Sequence, residues 1–284
     1  MPSIAIITDT DSSLPGDVAA RYGIRQVPIV VQFGDESFLS EVEISDAEVF
    51  ERIDREGTLP TTSAPSPGQF VEAYEAAFDD GADAVICFCV SSEVSATYSA
   101  AVTARELMPE RDITVVDTLS LSVEQGFMAL VAAEAAQAGA SKEEIVEKAL
   151  AVRERTCLYA SLSTLKYLAM SGRVGGLVAG MANLLNIKPI LTIQDGKLDM
   201  LEKVRTRKKA WARVIDLTAQ KIAGRPVERM AILNVAVPDD AQRFQAQVLK
   251  EIPFEGEILF CDLSAGLSVH AGSGVVGVVA VVAE

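Results

Sequence analysis

Hydroxyl side chains supply most of the positions at which this sequence could do chemistry. They gather in four clusters: Thr8 to Ser13, Thr61 to Ser66, Ser91 to Ser99, and Asp117 to Ser122. Ser66-Pro67-Gly68-Gln69 has a Ser, a Pro and a Gln spaced as a helix cap, a first helical residue and its reciprocal partner. Ser91-Ser92-Glu93-Val94-Ser95-Ala96-Thr97-Tyr98 leads from an apolar run into a helical one. A helix start presents free backbone N–H groups and a partial positive charge. Hydroxyls beside it add donors, and together they hold an anion without a basic side chain. Helix capping alone explains any single cluster. Several clusters converging on one sheet edge point to an anion site.

Other chemistries find less support. His270 is the only histidine and stands in Ser268-Val269-His270-Ala271-Gly272-Ser273-Gly274, read as a loop-like stretch. A lone histidine is more often structural, but that loop context keeps a binding role open. Asp9 and Asp11 suggest a metal or phosphoryl-transfer site, yet no other ligand spacing joins them, and strand-end Asp residues commonly cap loops. No metal site is expected. The chain has no GxxxxGK[ST] loop, no GxGxxG after its first strand and no GxSxG elbow. Gly272-Ser273-Gly274 opens an apolar run, not a helix. Cys87, Cys89, Cys157 and Cys261 lack metal spacing and read as small buried apolar residues. With one histidine and no nucleophile–base pair, a hydrolase is hard to build.

The elements that would position these clusters are legible in part. Ser3 to Thr8, Arg25 to Phe33, Asp83 to Val90 and Asp112 to Asp117 read as strands, the last two as near-continuous apolar runs suited to a buried parallel sheet. Helix starts at Ser66, Ser122 and Ser141 alternate with them. This alternation predicts a Rossmann-like, doubly wound α/β domain over residues 1–155, with ligands beyond the carboxyl ends of its strands. From 156 to 284 the pattern changes. Asp195-Gly196 between alternating runs predicts a hairpin. A helix is expected from Thr206 to Ala223 and another through Phe244, Val248 and Ile252. Strands are expected at Glu228 to Val235, Glu257 to Cys261 and Val275 to Val282. The second domain is therefore read as α+β with a mixed or mostly antiparallel sheet.

Composition narrows the partners. Hydrophobic residues make up 49% and charged residues 23% of the 284-residue chain, enough apolar surface for two cores. The formal net charge of −15 repels phosphate backbones, so nucleic acid is not an expected partner. Lys203, Arg205, Arg207, Lys208, Lys209 and Arg213 form a basic exception, read either as a solvated helix face or as a docking patch. No apolar run is long enough to span a membrane, and the first residues lack the features of a signal peptide, so a cytoplasmic protein without stable membrane insertion is expected.

Seven segments, in order along the chain, resemble the DegV family of bacterial fatty-acid-binding proteins, the acyl carriers of fatty acid kinase. They are Thr8 to Pro15, Thr61 to Gly68, Ser91 to Tyr98, Leu165-Lys166-Tyr167-Leu168 with Ser171-Gly172-Arg173-Val174, Leu184 to Leu191, Lys203 to Ala210, and the His270 segment. The resemblance implies a Rossmann-like domain joined to a second α/β domain with a long-chain fatty acid in a tunnel between them. It implies that Thr62, Ser95 and His270 bind the fatty-acid carboxylate, and that Arg173 and Arg205 face a separate fatty acid kinase, which makes the acyl phosphate. It further implies a carrier, not an enzyme, with no cofactor beyond the bound fatty acid. The family commonly has Gly where this chain has Glu93 and Ala96, and Gly-Pro-Gly where it has Gly272-Ser273-Gly274; Glu93 adds negative charge near the expected anion site. An alternative is a substrate-binding enzyme resembling dihydroxyacetone kinases, with His270 holding the substrate covalently.

Overall fold

The apolar runs of the first half become a parallel sheet, and a computed structural model describes residues 3–171 and 187–283 of the chain. The path is β1 (Ile4–Asp9), α1 (Gly16–Tyr22), β2 (Arg25–Val27), β3 (Val30–Phe33), β4 (Glu36–Leu39), α2 (Asp46–Glu56) and β5 (Thr61–Ser63). It continues through α3 (Pro67–Asp79), β6 (Ala84–Cys89), α4 (Thr97–Glu106), β7 (Ile113–Asp117), α5 (Ser122–Gln137) and α6 (Lys142–Arg155). Strands β2-β1-β6-β7 pair in that order, all parallel. Every residue of β6 is buried, which is why Asp83 to Val90 reads as a continuous apolar run. Helices α3 and α4 pack with Val27, Val85, Cys87 and Cys89 into one apolar core. The expected strand Arg25 to Phe33 is split: β3 leaves the parallel sheet and forms a separate three-stranded sheet ordered β4-β3-β5.

The remaining elements are β8 (Thr156–Ser161), α7 (Lys166–Ser171), β9 (Lys188–Gln194), β10 (Lys197–Val204), α8 (Arg207–Ile222), β11 (Val227–Asn234), α9 (Pro238–Glu251), β12 (Ile258–Asp262), α10 (Ala265–Ala271) and β13 (Val276–Val282). Their sheet runs β10-β9-β8-β13-β11-β12 and is mixed: β13 is antiparallel to β8 and β11, while β11 and β12 are parallel. The Asp195-Gly196 turn joins β9 and β10 with positive φ at both residues (49° and 77°), as a two-residue hairpin requires. Trp211 of α8 and Phe244 of α9 meet edge-on at 5.7 Å over this sheet, inside a core shared with Val276, Val278, Ala280 and Val282.

The chain is α/β and divides into two compact units, but not by one cut near residue 155. Residues 1–43, 62–154 and 195–197 form the first, and residues 44–61, 155–194 and 198–284 the second. The excursion 44–61 carries α2, which begins with a Ser45–Glu48 capping box. Asp46 Oδ2 then accepts a hydrogen bond from the Ala236 amide at 3.1 Å, tying α2 to the end of β11.

Candidate functional site

The strand order of the first unit places a topological switch point between β1 and β6. One neighbour of β1 follows it directly in the chain and the other returns from beyond β5. Ligands of doubly wound sheets bind outside the carboxyl ends of such a pair. Three of the four hydroxyl clusters stand there, following β1, β6 and β7. The fourth, Thr61 to Ser66, begins in β5 of the small sheet instead.

Hydrogen bonds knit the three loops together. Asp9, fully buried, accepts from the Val90 amide (2.7 Å) and the Asp11 amide (3.0 Å). Asp9 is thus a loop tie between β1 and β6, the capping role its strand-end position suggested. Burial pushes its carboxyl up to about 6, against the lowering effect of the Val90, Gln125 and Asp11 donors. Thr8 Oγ1 donates to the Phe88 carbonyl (2.8 Å) and accepts from Gln125 Nε2 (2.9 Å), so α5 grips both strands. The Ser91 amide donates to the Ser120 carbonyl (2.8 Å), and Thr118 Oγ1 donates to the Cys89 carbonyl (2.8 Å).

Ser95 lies in the loop between β6 and α4. Its hydroxyl accepts from the Thr97 amide (3.3 Å) and shares a 2.8 Å hydrogen bond with Thr97 Oγ1. It caps α4 from one residue before the cap position, which Ala96 occupies without a side-chain bond. The Ala100 amide makes the first bond of the helix, to the Ala96 carbonyl (3.0 Å), so the Tyr98 and Ser99 amides ahead of it precede the intrahelical ladder and are donors for an anion next to Ser95. The negative charge of Glu93 is countered: Lys197 Nζ lies 2.9 Å from Glu93 Oε2, and both belong to the first unit. Gly196 makes this approach possible. With φ at +77°, a Cβ there would lie 2.5 Å from Ser91 Oγ and 3.2 Å from Glu93 Cγ. Sequence reasoning missed Lys197; the Asp-Gly turn signalled the hairpin but not what its tip touches.

Thr62, half-buried, is in β5, four residues before the Ser66 cap of α3. Thr62 and Ser95 both belong to the first unit, while His270 belongs to the second. The loop reading of the His270 segment is corrected: His270 is in the last turn of α10. Ser264 caps that helix, accepting from the Leu267 amide at 3.3 Å. Arg205 is exposed in the bend between β10 and α8. Arg173 lies outside the described residues.

A further correction concerns Ser122. It does not cap α5; Leu121 holds the cap position, and Ser122 is the first helical residue with φ at +58°. Its hydroxyl is buried without a hydrogen-bond partner, as is Oε1 of Gln125. Two residues on, Glu124 is buried in the first turn of α5, and that burial raises its carboxyl to about 7 against the Ser120 hydroxyl and the Arg153 charge. All four cysteines are buried, and burial pushes the Cys89 thiol well above its usual range. Among the described residues no group of three or more His, Cys, Asp or Glu could hold a metal ion, and no helix is long and apolar enough to cross a membrane.

Comparison with known proteins bears on this arrangement. The DegV family model, described as "Uncharacterised protein, DegV family", matches residues 3–283. The DegV domain-containing protein SCO2569 of Streptomyces coelicolor is 35% identical over 276 residues, covering 97% of each chain. Among solved structures, a fatty-acid-binding DegV family protein from Thermus thermophilus superposes with a TM-score of 0.91 at 32% identity, covering 100% of both chains. DegV of Bacillus subtilis, a fatty acid binding protein, does so at 0.88 and 29% identity over 100% of both. With a family model spanning nearly every residue and a relative 35% identical over 97% of each chain, the chain belongs to the DegV family.

Proposed function

We propose that this protein binds a long-chain fatty acid, grips its carboxylate with Thr62, Ser95 and His270, and presents it to a separate fatty acid kinase for acyl phosphate formation. The observation that carries the binding step is the full-length likeness to the fatty-acid-binding protein of Thermus thermophilus. The head-group assignment draws support from the switch point between β1 and β6, where Ser95 stands beside the open amides of α4.

The energetics divide the ligand in two. Burying a methylene is worth about 0.8 kcal/mol, so a tail of about 15 gains on the order of 12 kcal/mol before the costs of association. The tail supplies affinity. A carboxylate buried without donors would be costly. Hydroxyls and amides therefore fix orientation, and the head group stays where a second protein can reach it. Delivery to a kinase is consistent with the absence of an ATP-binding loop from the sequence. Arg205, exposed in a basic segment of an acidic protein, would face the kinase together with Arg173.

Native mass spectrometry of protein purified from cells, followed by lipid extraction, tests the binding step. A co-purified fatty acid, or uptake of added oleate at one equivalent, is the expected result; neither occurring rejects the reading. Thr62→Ala and Ser95→Ala should each weaken oleate binding about tenfold, the scale of one hydrogen bond to a charged group, with circular dichroism unchanged. Wild-type affinity in both variants would remove these residues from the head-group site.

A further inference from the structure

The segment that follows His270 is pinned on three sides within the second unit. α10 closes with the Gly272 amide donating to the Ser268 carbonyl at 2.8 Å. Gly272 has φ at +80°, and a Cβ there would lie 2.2 Å from Tyr167 Cδ2, 2.6 Å from Cε2 and 3.0 Å from Cγ. The ring of Tyr167, from α7, occupies the space that a side chain would need. Two residues on, Ser163 Oγ donates to the Gly274 carbonyl (3.1 Å), and the Gly274 amide donates to the Val235 carbonyl (2.9 Å). Lys188 Nζ holds the Ser163 carbonyl at 2.8 Å, so the Ser163 contact is itself anchored.

A helix of seven residues has little stability of its own, and its last turn frays unless tertiary contacts hold it. Glycine at positive φ adds no side chain to that end and is the most costly residue to confine. The tie must come from outside the helix, and the Tyr167 ring supplies one at Gly272, two residues from His270.

We propose that Tyr167 is a positioning residue for His270: its ring, seated on Gly272, fixes the end of α10 and with it the imidazole. The link to the carboxylate rests on the fatty-acid reading above; the positioning does not. All three contacting ring atoms are shared by Phe, so the hydroxyl has no part in the contact and the ring is what matters.

The single histidine makes the test direct, because the imidazole Hε1 and Hδ2 signals in a proton NMR spectrum have one source. Tyr167→Phe should superimpose on wild type. Tyr167→Ala should shift or broaden both signals and weaken oleate binding about tenfold, as expected when a donor to a carboxylate is misplaced. Should Tyr167→Ala lose its fold by circular dichroism, Tyr167→Leu keeps an apolar side chain on α7 and serves the same comparison. Tyr22→Ala, in the first unit, should leave the His270 signals in place. Unmoved signals in the folded Tyr167 variant overturn the proposal, as do signals that move equally in Tyr22→Ala. Wild-type protein that takes up no oleate rejects the fatty-acid reading and leaves the NMR comparison to decide the role of Tyr167.

Discussion

At the scale of single residues, the negative charge of Glu93 is answered by a second residue. Glu93 places a carboxylate two residues before Ser95, and Lys197 meets it at 2.9 Å. The pair is partly solvated, with side chains 43% and 65% exposed, so its effect on folding is small and salt screens it. Its effect on an incoming carboxylate is larger than its effect on stability, because it cancels a repulsion near the proposed head-group site. Lys197→Met should therefore leave the melting temperature near wild type and weaken oleate binding about two- to fivefold at low salt. Glu93→Gln in the same background should restore the affinity. Isothermal titration at two salt concentrations checks both, and a Lys197→Met variant that binds like wild type at low salt would separate the pair from the site.

At the scale of elements, the buried start of α5 controls a pH dependence. Glu124 is 7% exposed and its carboxyl is raised to about 7, mainly by burial. An unfolded Glu titrates near about 4.3. Between these values the unfolded chain gives up its proton first, so stability is full below about pH 4 and falls as pH rises toward 7, by on the order of 3 kcal/mol from this group. Asp9, raised to about 6, adds a loss of the same sign over a lower window. Glu124→Gln removes the larger contribution. Its melting temperature should change less between pH 5 and 8 than that of wild type; equal slopes would place the pH dependence elsewhere.

The same helix shows where local sequence signals stop. Ser66 with Gln69 and Ser141 with Glu144 form the capping pairs that their spacing predicts, because a capping box needs only four consecutive residues. The Ser122 pattern looks equally good, yet the preceding turn imposes positive φ at Leu119 and Ser122 and moves the cap to Leu121. His270 was hidden in the opposite sense. Gly266 and the glycines after Ala271 obscure a short helix that Ser264 starts. The excursion of α2 into the second unit depends on the Asp46–Ala236 contact, 190 residues apart, which no window of sequence contains. Lys197 and Tyr167 escaped for the same reason: their partners Glu93 and Gly272 are far away in the chain.

At the scale of the molecule, the placement of basic charge works against local stability. The net charge is −15, yet Arg207, Lys208 and Lys209 fill the first turn of α8, where the helix dipole favours acids and none is present. Arg207 pairs with Asp240, and Arg213 pairs with Glu202 at 2.7 Å, whereas Lys203, Arg205, Lys208 and Lys209 are exposed. A helix does not gain from this arrangement; an acidic surface on a second protein would, through faster encounter that falls with ionic strength. Replacing Arg205 and Lys208 by Glu should raise the melting temperature slightly, since like charges at the helix start are relieved. Unfolding can be followed through Trp211, the one tryptophan, which lies on α8. Under the proposed carrier role the same variant should associate with its kinase on the order of tenfold more slowly at low salt, with the difference shrinking as salt is added. A lowered melting temperature would make the cluster a structural feature of the second unit. An unchanged association rate would move the kinase contact away from α8.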